Sequence, residues 1–361
     1  MLQNYKPARL VFEDGSVFYG KTFGYEKSVA GEVVFNTAMT GYPESLTDPS
    51  YSGQILVTTY PLVGNYGVPG NEIKDNMLRF FESEKIRITA LVITDYSSSY
   101  NHWNASKSLQ QWLVENKIPA LCDIDTRALT KRIREKGCMP GKIIINETDC
   151  DFFDPNKGNL VDEVSIKEKK IYGNGRYKIL LVDCGVKNNI IRYFLEKDTT
   201  VIRVPWNYDF SREEYHGLFL SNGPGNPQLC TATIENLTKA LSDKKPVFGI
   251  CLGHQLMALA SGAQTYKLKY GHRSHNQPAL LCGTNRAFIT SQNHGFAVDE
   301  TTLSNEWVPL FKNLNDGTNE GIKHKTKPFF SVQFHPEASS GPTDTDFLFD
   351  DFIKMVKEYA G

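Results

Sequence analysis

The sequence has no excess of either charge and no apolar run that approaches the length of a membrane-spanning helix. Its 40 Lys and Arg residues balance 41 Asp and Glu residues, which gives a formal net charge of −1. Surfaces that bind nucleic acid or anionic membranes are rich in basic residues, and a spanning helix needs about 20 apolar residues. We therefore expect no nucleic-acid partner and no membrane partner, and we look instead for small molecules or another protein.

The cysteines show neither the pairing of a secreted disulfide framework nor the spacing of a zinc ribbon. They form an odd set without CxxC spacing, at positions 122, 138, 150, 184, 230, 251 and 282. Such a set favours reduced thiols in a cytosol-like compartment. Residues 1–7 lack the apolar core of a secretory signal and the composition of a transit peptide. We expect a cytoplasmic protein, with a mitochondrial location left open.

A metal site is not predicted either. His272 and His275 are spaced as neighbours on a helix, but the sequence shows no third ligand near them. Zinc sites in proteins use three or four protein ligands. The prediction for metals is therefore none.

One phosphate-loop pattern occurs, at residues 15–22, where the sequence reads Gly-Ser-Val-Phe-Tyr-Gly-Lys-Thr. That motif works only when a helix begins after the lysine and backbone N–H groups surround the phosphate. Here the four middle residues favour a strand, and Phe-Gly-Tyr follows at residues 23–25 instead of a helix. The context predicts a hairpin and no ATP site.

The length of 361 residues suits two domains. The first, residues 1–146, has β-rich runs between polar turns and two amphipathic helices, with runs at 9–13, 16–19 and 31–35 and helices at 106–114 and 126–135. Asp14 and Gly15 predict a hairpin, and Asp125 is the expected N-cap of the second helix. Residues 147–177 are polar and predict an inter-domain linker.

From residue 178 to residue 361 strands and helices alternate. Predicted strands lie at 179–183, 201–204, 217–221 and 247–250, and predicted helices at 188–196 and 232–241. This alternation is typical of a parallel sheet with helices on both faces. We expect an α/β protein: a C-terminal doubly wound, mostly parallel sheet and a smaller N-terminal β-rich α/β domain.

Cys251 lies at the turn between the predicted strand 247–250 and a helix predicted at 254–261. Its flanking residues Gly249 and Gly253 fit a nucleophile elbow in which Cys replaces Ser. The positive end of the following helix favours a thiolate there. The alternative is an inert core thiol, because free cysteines are commonly buried.

A base for such a nucleophile is present near the C-terminus. A strand-like run at 329–334 ends in His335, and Pro336 keeps His335 extended, so that Glu337 lies on the same side of the chain. Cysteine, histidine and carboxylate are the parts of an activated-thiol triad. The turn at 222–227 is either a plain loop or a place where the N–H of Gly223 completes an oxyanion hole with Leu252.

Two sets of motifs carry a family resemblance. Residues 248–255 (Phe-Gly-Ile-Cys-Leu-Gly-His-Gln) and 334–337 (Phe-His-Pro-Glu) resemble a class I glutamine amidotransferase domain. Four N-terminal blocks resemble the domain found in the small, glutaminase chain of carbamoyl-phosphate synthetase: residues 31–37, 40–44, 46–51 and 64–67. The resemblance extends over nearly the whole chain.

The resemblance implies roles for individual residues. Cys251 is implied as the nucleophile, with His335 and Glu337 completing the triad. Eight residues are implied to hold L-glutamine: Ser50, Gly223, Gly225, Leu252, Gln255, Asn293, Gly295 and Phe296. Some family members have Ser at the nucleophile position and have lost glutaminase chemistry, whereas this chain keeps Cys.

The resemblance also implies a partner, because small chains of this family pass ammonia to a large synthetase chain. That large chain makes carbamoyl phosphate from bicarbonate and two ATP, so ATP and Mg are expected there and no cofactor is expected in this chain. The sequence leaves open whether the product serves arginine, urea or pyrimidine synthesis. Another class I amidotransferase or a γ-glutamyl hydrolase would share the Cys251 turn but has no need of the N-terminal domain. A non-enzymatic subunit with a decayed site is the remaining alternative.

Overall fold

The computed structural model describes residues 5–361, which form two compact units that divide between Lys157 and Gly158. This division differs from the predicted boundaries, because part of the segment 147–177 is regular structure. A helix lies at Leu160–Val164, and a strand at Lys170–Tyr172 pairs with the sheet of the second unit. That strand lies at the edge of the sheet and is largely exposed, which accounts for the polar composition that predicted a linker.

Within residues 5–157, the first unit contains thirteen strands and three α-helices. The strands are β1 (Pro7–Phe12), β2 (Val17–Thr22), β3 (Val29–Asn36), β4 (Gln54–Thr58), β5 (Leu62–Val63), β6 (Val68–Pro69), β7 (Ile73–Lys74), β8 (Met77–Leu78), β9 (Ala90–Val92), β10 (Asp95–Tyr96), β11 (Ala105–Lys107), β12 (Ala120–Cys122) and β13 (Met139–Ile145). The helices are α1 (Tyr42–Thr47), α2 (Leu109–Glu115) and α3 (Thr126–Lys136).

Seven of these strands close into a barrel in the order β1, β13, β3, β4, β9, β12 and β2. Closure removes the exposed edges that an open sheet would have. Helix α2 places Leu109, Trp112 and Leu113 in one buried cluster with the strand residues Leu56 and Leu91. The sequence predicted this amphipathic helix, but not that the strands form a closed barrel.

The phosphate-loop pattern lies within a β-hairpin. Strands β1 and β2 pair antiparallel, and the turn between them contains Gly15, which has φ 84°. Lys21 is part of β2 and forms an ion pair with Asp123 at 2.7 Å. The residues after the motif do not open a helix, so its backbone lacks the geometry that a phosphate requires.

The second unit contains ten strands and five α-helices. The strands are β14 (Lys170–Tyr172), β15 (Tyr177–Asp183), β16 (Thr199–Pro205), β17 (Gly217–Leu220), β18 (Val247–Ile250), β19 (Gln264–Leu281), β20 (Ala287–Asp299), β21 (Trp307–Asn313), β22 (Asn319–His324) and β23 (Phe329–Val332). The helices are α4 (Leu160–Val164), α5 (Asn188–Leu195), α6 (Thr231–Ala240), α7 (Leu252–Ala260) and α8 (Phe347–Ala360).

These ten strands form one sheet in the order β14, β16, β15, β17, β18, β23, β22, β21, β19 and β20. The strands from β16 to β23 in this order are parallel, and the others pair antiparallel. Strand β17 shows that both faces are covered, because Leu218 and Leu220 pack with Leu237 of α6 and Leu256 of α7. Phe219, on the opposite face, contacts rings of α5 and α8. This confirms the doubly wound α/β fold.

His272 and His275 do not lie on a helix, as their spacing suggested, but in the antiparallel arm of the sheet, β19 to β22. Both residues lie in β19, an 18-residue strand that pairs with β20. The longest helix, α8, has 14 residues, and no helix within residues 5–361 is long and apolar enough to cross a membrane.

We predict that Asp183→Asn destabilises the second unit by about 3–5 kcal/mol, because it leaves a buried guanidinium without its counter-charge. Asp183 accepts from Arg203 Nε at 3.0 Å and Nη2 at 2.8 Å, and both side chains are almost fully buried. Urea unfolding of the full chain measures the loss. The matched control is Asp350→Asn, where the pair with Lys197 is exposed and should contribute less than about 1 kcal/mol. Equal losses in both variants would contradict the prediction.

Candidate active site

Cys251 occupies a strained turn between β18 and α7. Its φ is 54° and its ψ is −103°, a conformation that non-glycine residues rarely adopt. The turn is tight because a Cβ added at Gly249 would lie 2.6 Å from the carbonyl oxygen of Gly253, and one added at Gly253 would lie 2.2 Å from that of Leu220. The structure therefore has the local geometry of a nucleophile elbow, in agreement with the spacing of the two glycines.

His335 and Glu337 follow β23, the neighbour of β18 in the sheet. The Nδ1 atom of His335 lies 2.6 Å from Glu337 Oε1, and both side chains are buried. The imidazole also interacts with the side chain of Cys251. The structure thus brings the three predicted triad residues together, with Glu337 orienting the ring and the ring facing the thiol.

Neighbouring charges determine the protonation states of His335 and Glu337. Burial alone would lower the pKa of His335, but the charges of Glu337 and Cys251 outweigh burial and raise that pKa well above the usual range. For Glu337, burial alone would raise the pKa, but the neighbouring charges of Lys187 and His335 lower it. The arrangement favours a protonated imidazole and an ionised carboxylate, so a proton is available next to the thiol.

Lys187 is a residue of this site that the sequence did not reveal. It precedes α5 as the N-cap residue, and its Nζ lies 3.2 Å from Glu337 Oε1 and 2.5 Å from the carbonyl oxygen of Ala338. The lysine side chain is 5% exposed, so its charge acts on Glu337 with little screening by solvent. Nothing in the local sequence marks this lysine, because its partner is 150 residues away in the chain.

The predicted oxyanion donors lie side by side. Gly223 follows β17, and a Cβ added there would lie 2.8 Å from Leu252 Cδ2 and 2.0 Å from the carbonyl oxygen of Cys184. Leu252 is the first residue of α7, where backbone N–H groups have no partner within the helix. Gly225 lies in the same loop with φ 84°. Gly223 and the first residue of α7 are therefore neighbours, and the positive end of that helix lies at Cys251.

The remaining residues of the second unit that are predicted to bind glutamine lie on or against β20. Gln255 Nε2 donates to the carbonyl oxygen of Phe296 at 2.9 Å and to Gln333 Oε1 at 3.0 Å, so this amide group fixes the strand in place. Cys251 Sγ lies 3.7 Å from the carbonyl oxygen of Asn293, and Gly295 is part of the same strand. The strand residues and the nucleophile are thus neighbours.

Ser50 lies in the first unit, in a 3₁₀ turn at Pro49–Tyr51, and its N–H donates to Asp48 Oδ1 at 2.9 Å. Its side chain is buried. The contact of Ser50 with glutamine stays a prediction.

Comparisons with known proteins agree on both parts of the chain. The family model for the carbamoyl-phosphate synthase small chain, CPSase domain, matches residues 10–143, and the model for class I glutamine amidotransferases matches residues 180–355. The chain is 55% identical to the multifunctional protein CAD of Squalus acanthias over 97% of this chain and 16% of that protein. It is 51% identical to the mitochondrial carbamoyl-phosphate synthase [ammonia] of Homo sapiens over 97% of this chain and 24% of that protein.

The multifunctional protein URA2 of Saccharomyces cerevisiae is 50% identical to this chain over 97% of the chain and 18% of its own length. The chain therefore spans between about a sixth and a quarter of the length of these relatives.

We predict that Lys187→Met moves the acid limb of Cys251 reactivity to higher pH. Without the lysine charge the pKa of Glu337 rises, so the carboxylate that orients His335 becomes protonated at a higher pH than in the unmodified chain. The rate of Cys251 alkylation by iodoacetamide, followed by mass spectrometry across the pH range, measures this shift. Lys197→Met, which removes a lysine that pairs with exposed Asp350, is the control. An acid limb that stays in place would show that Lys187 only supports packing.

Proposed function

Because the chain belongs to the carbamoyl-phosphate synthase small chains, with a class I glutamine amidotransferase domain after the small-chain domain, we propose that it hydrolyses L-glutamine and supplies ammonia to a large synthetase chain. The observation that carries this proposal is the position of Cys251. It lies on a strained elbow at the start of α7, beside the His335–Glu337 pair.

The reaction follows from the order of these groups. The thiolate of Cys251 attacks the side-chain amide carbon of glutamine, and the N–H groups of Leu252 and Gly223 stabilise the oxyanion, each by about 3 kcal/mol in the transition state. Protonated His335 gives its proton to the departing ammonia. Water then attacks the glutamyl thioester with His335 as base, which releases glutamate and restores the thiol.

The human relative is named for ammonia rather than glutamine, so the nitrogen source has to be argued from the site itself. A chain that used only external ammonia would need neither a thiol on the elbow nor a base aimed at it. Here all three triad residues are present, His335 and Glu337 are hydrogen-bonded, and the imidazole interacts electrostatically with the side chain of Cys251. The geometry therefore favours glutamine as the nitrogen source. A γ-glutamyl hydrolase is not favoured, because residues 10–143 match the small-chain domain.

ATP, Mg and bicarbonate are assigned to the large chain in this proposal. The phosphate-loop pattern of this chain lies in a hairpin, and its lysine pairs with Asp123. The large chain is either a separate polypeptide or a continuation of this one, since the relatives are much longer than 361 residues. Glutamine and the large chain are the proposed partners.

We predict that Cys251→Ser abolishes glutamine-dependent carbamoyl phosphate synthesis by the complete synthetase and leaves synthesis from ammonium salts nearly unchanged. Serine is nearly isosteric with cysteine, so the fold survives, but its hydroxyl stays protonated near neutral pH. Both nitrogen sources are assayed on one preparation. Equal loss with glutamine and with ammonium would mean that Cys251 has a structural role only.

A second prediction separates the roles within the triad. Cys251→Ala should lower the glutaminase kcat by roughly 10⁶-fold, and Glu337→Ala by about 10⁴-fold, if this triad behaves as serine triads do. The difference arises because Glu337 orients the base and does not itself react. Quenched reactions analysed by mass spectrometry should show a glutamyl group on Cys251 in the unmodified chain. A Glu337→Ala chain as inactive as Cys251→Ala would contradict this division of roles.

A further inference from the structure

A second cluster of buried polar side chains lies in the antiparallel arm of the second unit. His272 of β19 is paired directly with His294 of β20, and Gln292 of β20 and Glu320 of β22 lie against them. All four side chains belong to buried residues, and Glu320 is fully enclosed. Charged and polar groups at such depth need partners, so this cluster requires a physical explanation.

The distances within the cluster fit a single bound ion. His272 Nδ1 lies 3.5 Å from Glu320 Oε1 and 3.1 Å from Gln292 Oε1. His294 Nε2 lies 3.0 Å from the same Gln292 oxygen. Two ligands of one tetrahedral zinc ion, with bonds of about 2.1 Å, are about 3.4 Å apart. The ligand atoms of His272, His294 and Glu320 all lie within 4.8 Å of one another.

The outer hydrogen bonds are those of metal-binding histidines. His272 has its other nitrogen, Nε2, 2.9 Å from Asp316 Oδ2, and His294 Nδ1 lies 2.8 Å from the carbonyl oxygen of Phe296. A metal-bound histidine usually donates its remaining N–H to a carboxylate or a backbone carbonyl. The side chain of Glu320 is also held by Asn313, whose Nδ2 donates at 2.8 Å to Oε1, the oxygen that lies near His272.

The cluster has more lone pairs than hydrogens to fill them. A carbonyl oxygen only accepts, so His294 Nδ1 must carry the hydrogen that reaches Phe296, and Nε2 of the neutral ring then presents a lone pair to the oxygen of Gln292. The Gln292 amide is oriented by its own donation to Thr290 Oγ1 at 3.1 Å. Glu320 Oε2 is buried and has no hydrogen-bond partner among residues 5–361. A cation at the centre would satisfy these lone pairs.

We propose that His272, His294, Glu320 and the side-chain oxygen of Gln292 bind one divalent transition-metal ion, for which Zn²⁺ is the best match. Imidazole nitrogen and carboxylate oxygen are common zinc ligands, and structural zinc sites are almost always four-coordinate and tetrahedral. Because the protein supplies all four ligands, the site is structural rather than catalytic. The sequence missed it because the two histidines and the glutamate come from three different strands and show no short ligand spacing along the chain.

The location gives the ion a role in the protein. His294 lies between Asn293 and Gly295 on β20, the strand that is adjacent to Cys251. An ion that joins β19, β20 and β22 would hold this strand in register beside the nucleophile. The metal proposal does not depend on the proposed glutaminase activity, because metal content and thermal stability report on it without any turnover.

The test measures Zn²⁺ binding by the full chain in a Cys251→Ser background, because the Cys251–His335 pair could otherwise bind zinc itself. The chain is treated with a chelator, dialysed, and titrated with Zn²⁺ against a chromophoric chelator. We expect one Zn²⁺ per chain, bound at submicromolar concentration, and a rise of the thermal unfolding midpoint by several degrees. A chain that takes up no zinc and shows no rise in the unfolding midpoint would overturn the proposal. The cluster would then be a hydrogen-bonded network without a metal.

Two variants locate the binding. Glu320→Gln keeps the shape and removes a ligand charge, so the tight site should be lost. Asp316→Asn changes a partly exposed carboxylate outside the ligand set, so the fold survives and the affinity should fall roughly 10–100-fold. The matched control, Asp243→Asn, alters an exposed carboxylate that pairs with Lys245 and should leave binding unchanged. Equal zinc affinity in Asp316→Asn, Glu320→Gln and the control would place the ion elsewhere and refute the assignment.

Discussion

The backbone turn at Cys251 is the constraint on which the rest of the second unit depends. A non-glycine residue at φ 54° costs on the order of 1–3 kcal/mol, so the surrounding structure must hold it in place. The N–H of Cys251 donates to the carbonyl oxygen of Val332 at 2.9 Å, which ties the turn to β23. On the other side Gly253 packs against the backbone of Leu220 in β17. The central parallel strands therefore fix the direction of the thiol.

The same strands bring the charges of the site together. His335 follows β23 and Lys187 follows β15, so both reach the carboxyl edge of the parallel sheet, where ligands of such sheets bind. Glu337 lies between the two cations, at 2.6 Å from the imidazole and 3.2 Å from the lysine. A buried carboxylate that is shared in this way stays ionised, and its charge keeps the imidazole protonated. Lys187 thus acts on the thiol of Cys251 indirectly, through Glu337 and His335.

The sequence was sufficient for those features that local pattern determines. The elbow, the strand end before His335 and the capped helix after Asp125 each follow from a few neighbouring residues, and the structure shows all three. Features that depend on distant pairing were missed. The barrel closes only when Ala8 meets Ile145, and no local pattern encodes that register. Lys187 was missed for the same reason, because its function depends on a carboxylate that a different strand delivers.

The two buried polar clusters of the second unit differ in one respect that bears on their chemistry. In the active site the cations Lys187 and His335 both lie against the carboxylate of Glu337, and His335 also interacts with the side chain of Cys251, so a protonated group lies beside the reacting sulfur. Around Glu320 the acceptors outnumber the donors, and one carboxylate oxygen has no partner within residues 5–361. Burial penalises such an excess of lone pairs. A protonated imidazole beside a thiol suits proton transfer, whereas a cluster rich in acceptors suits a fixed cation.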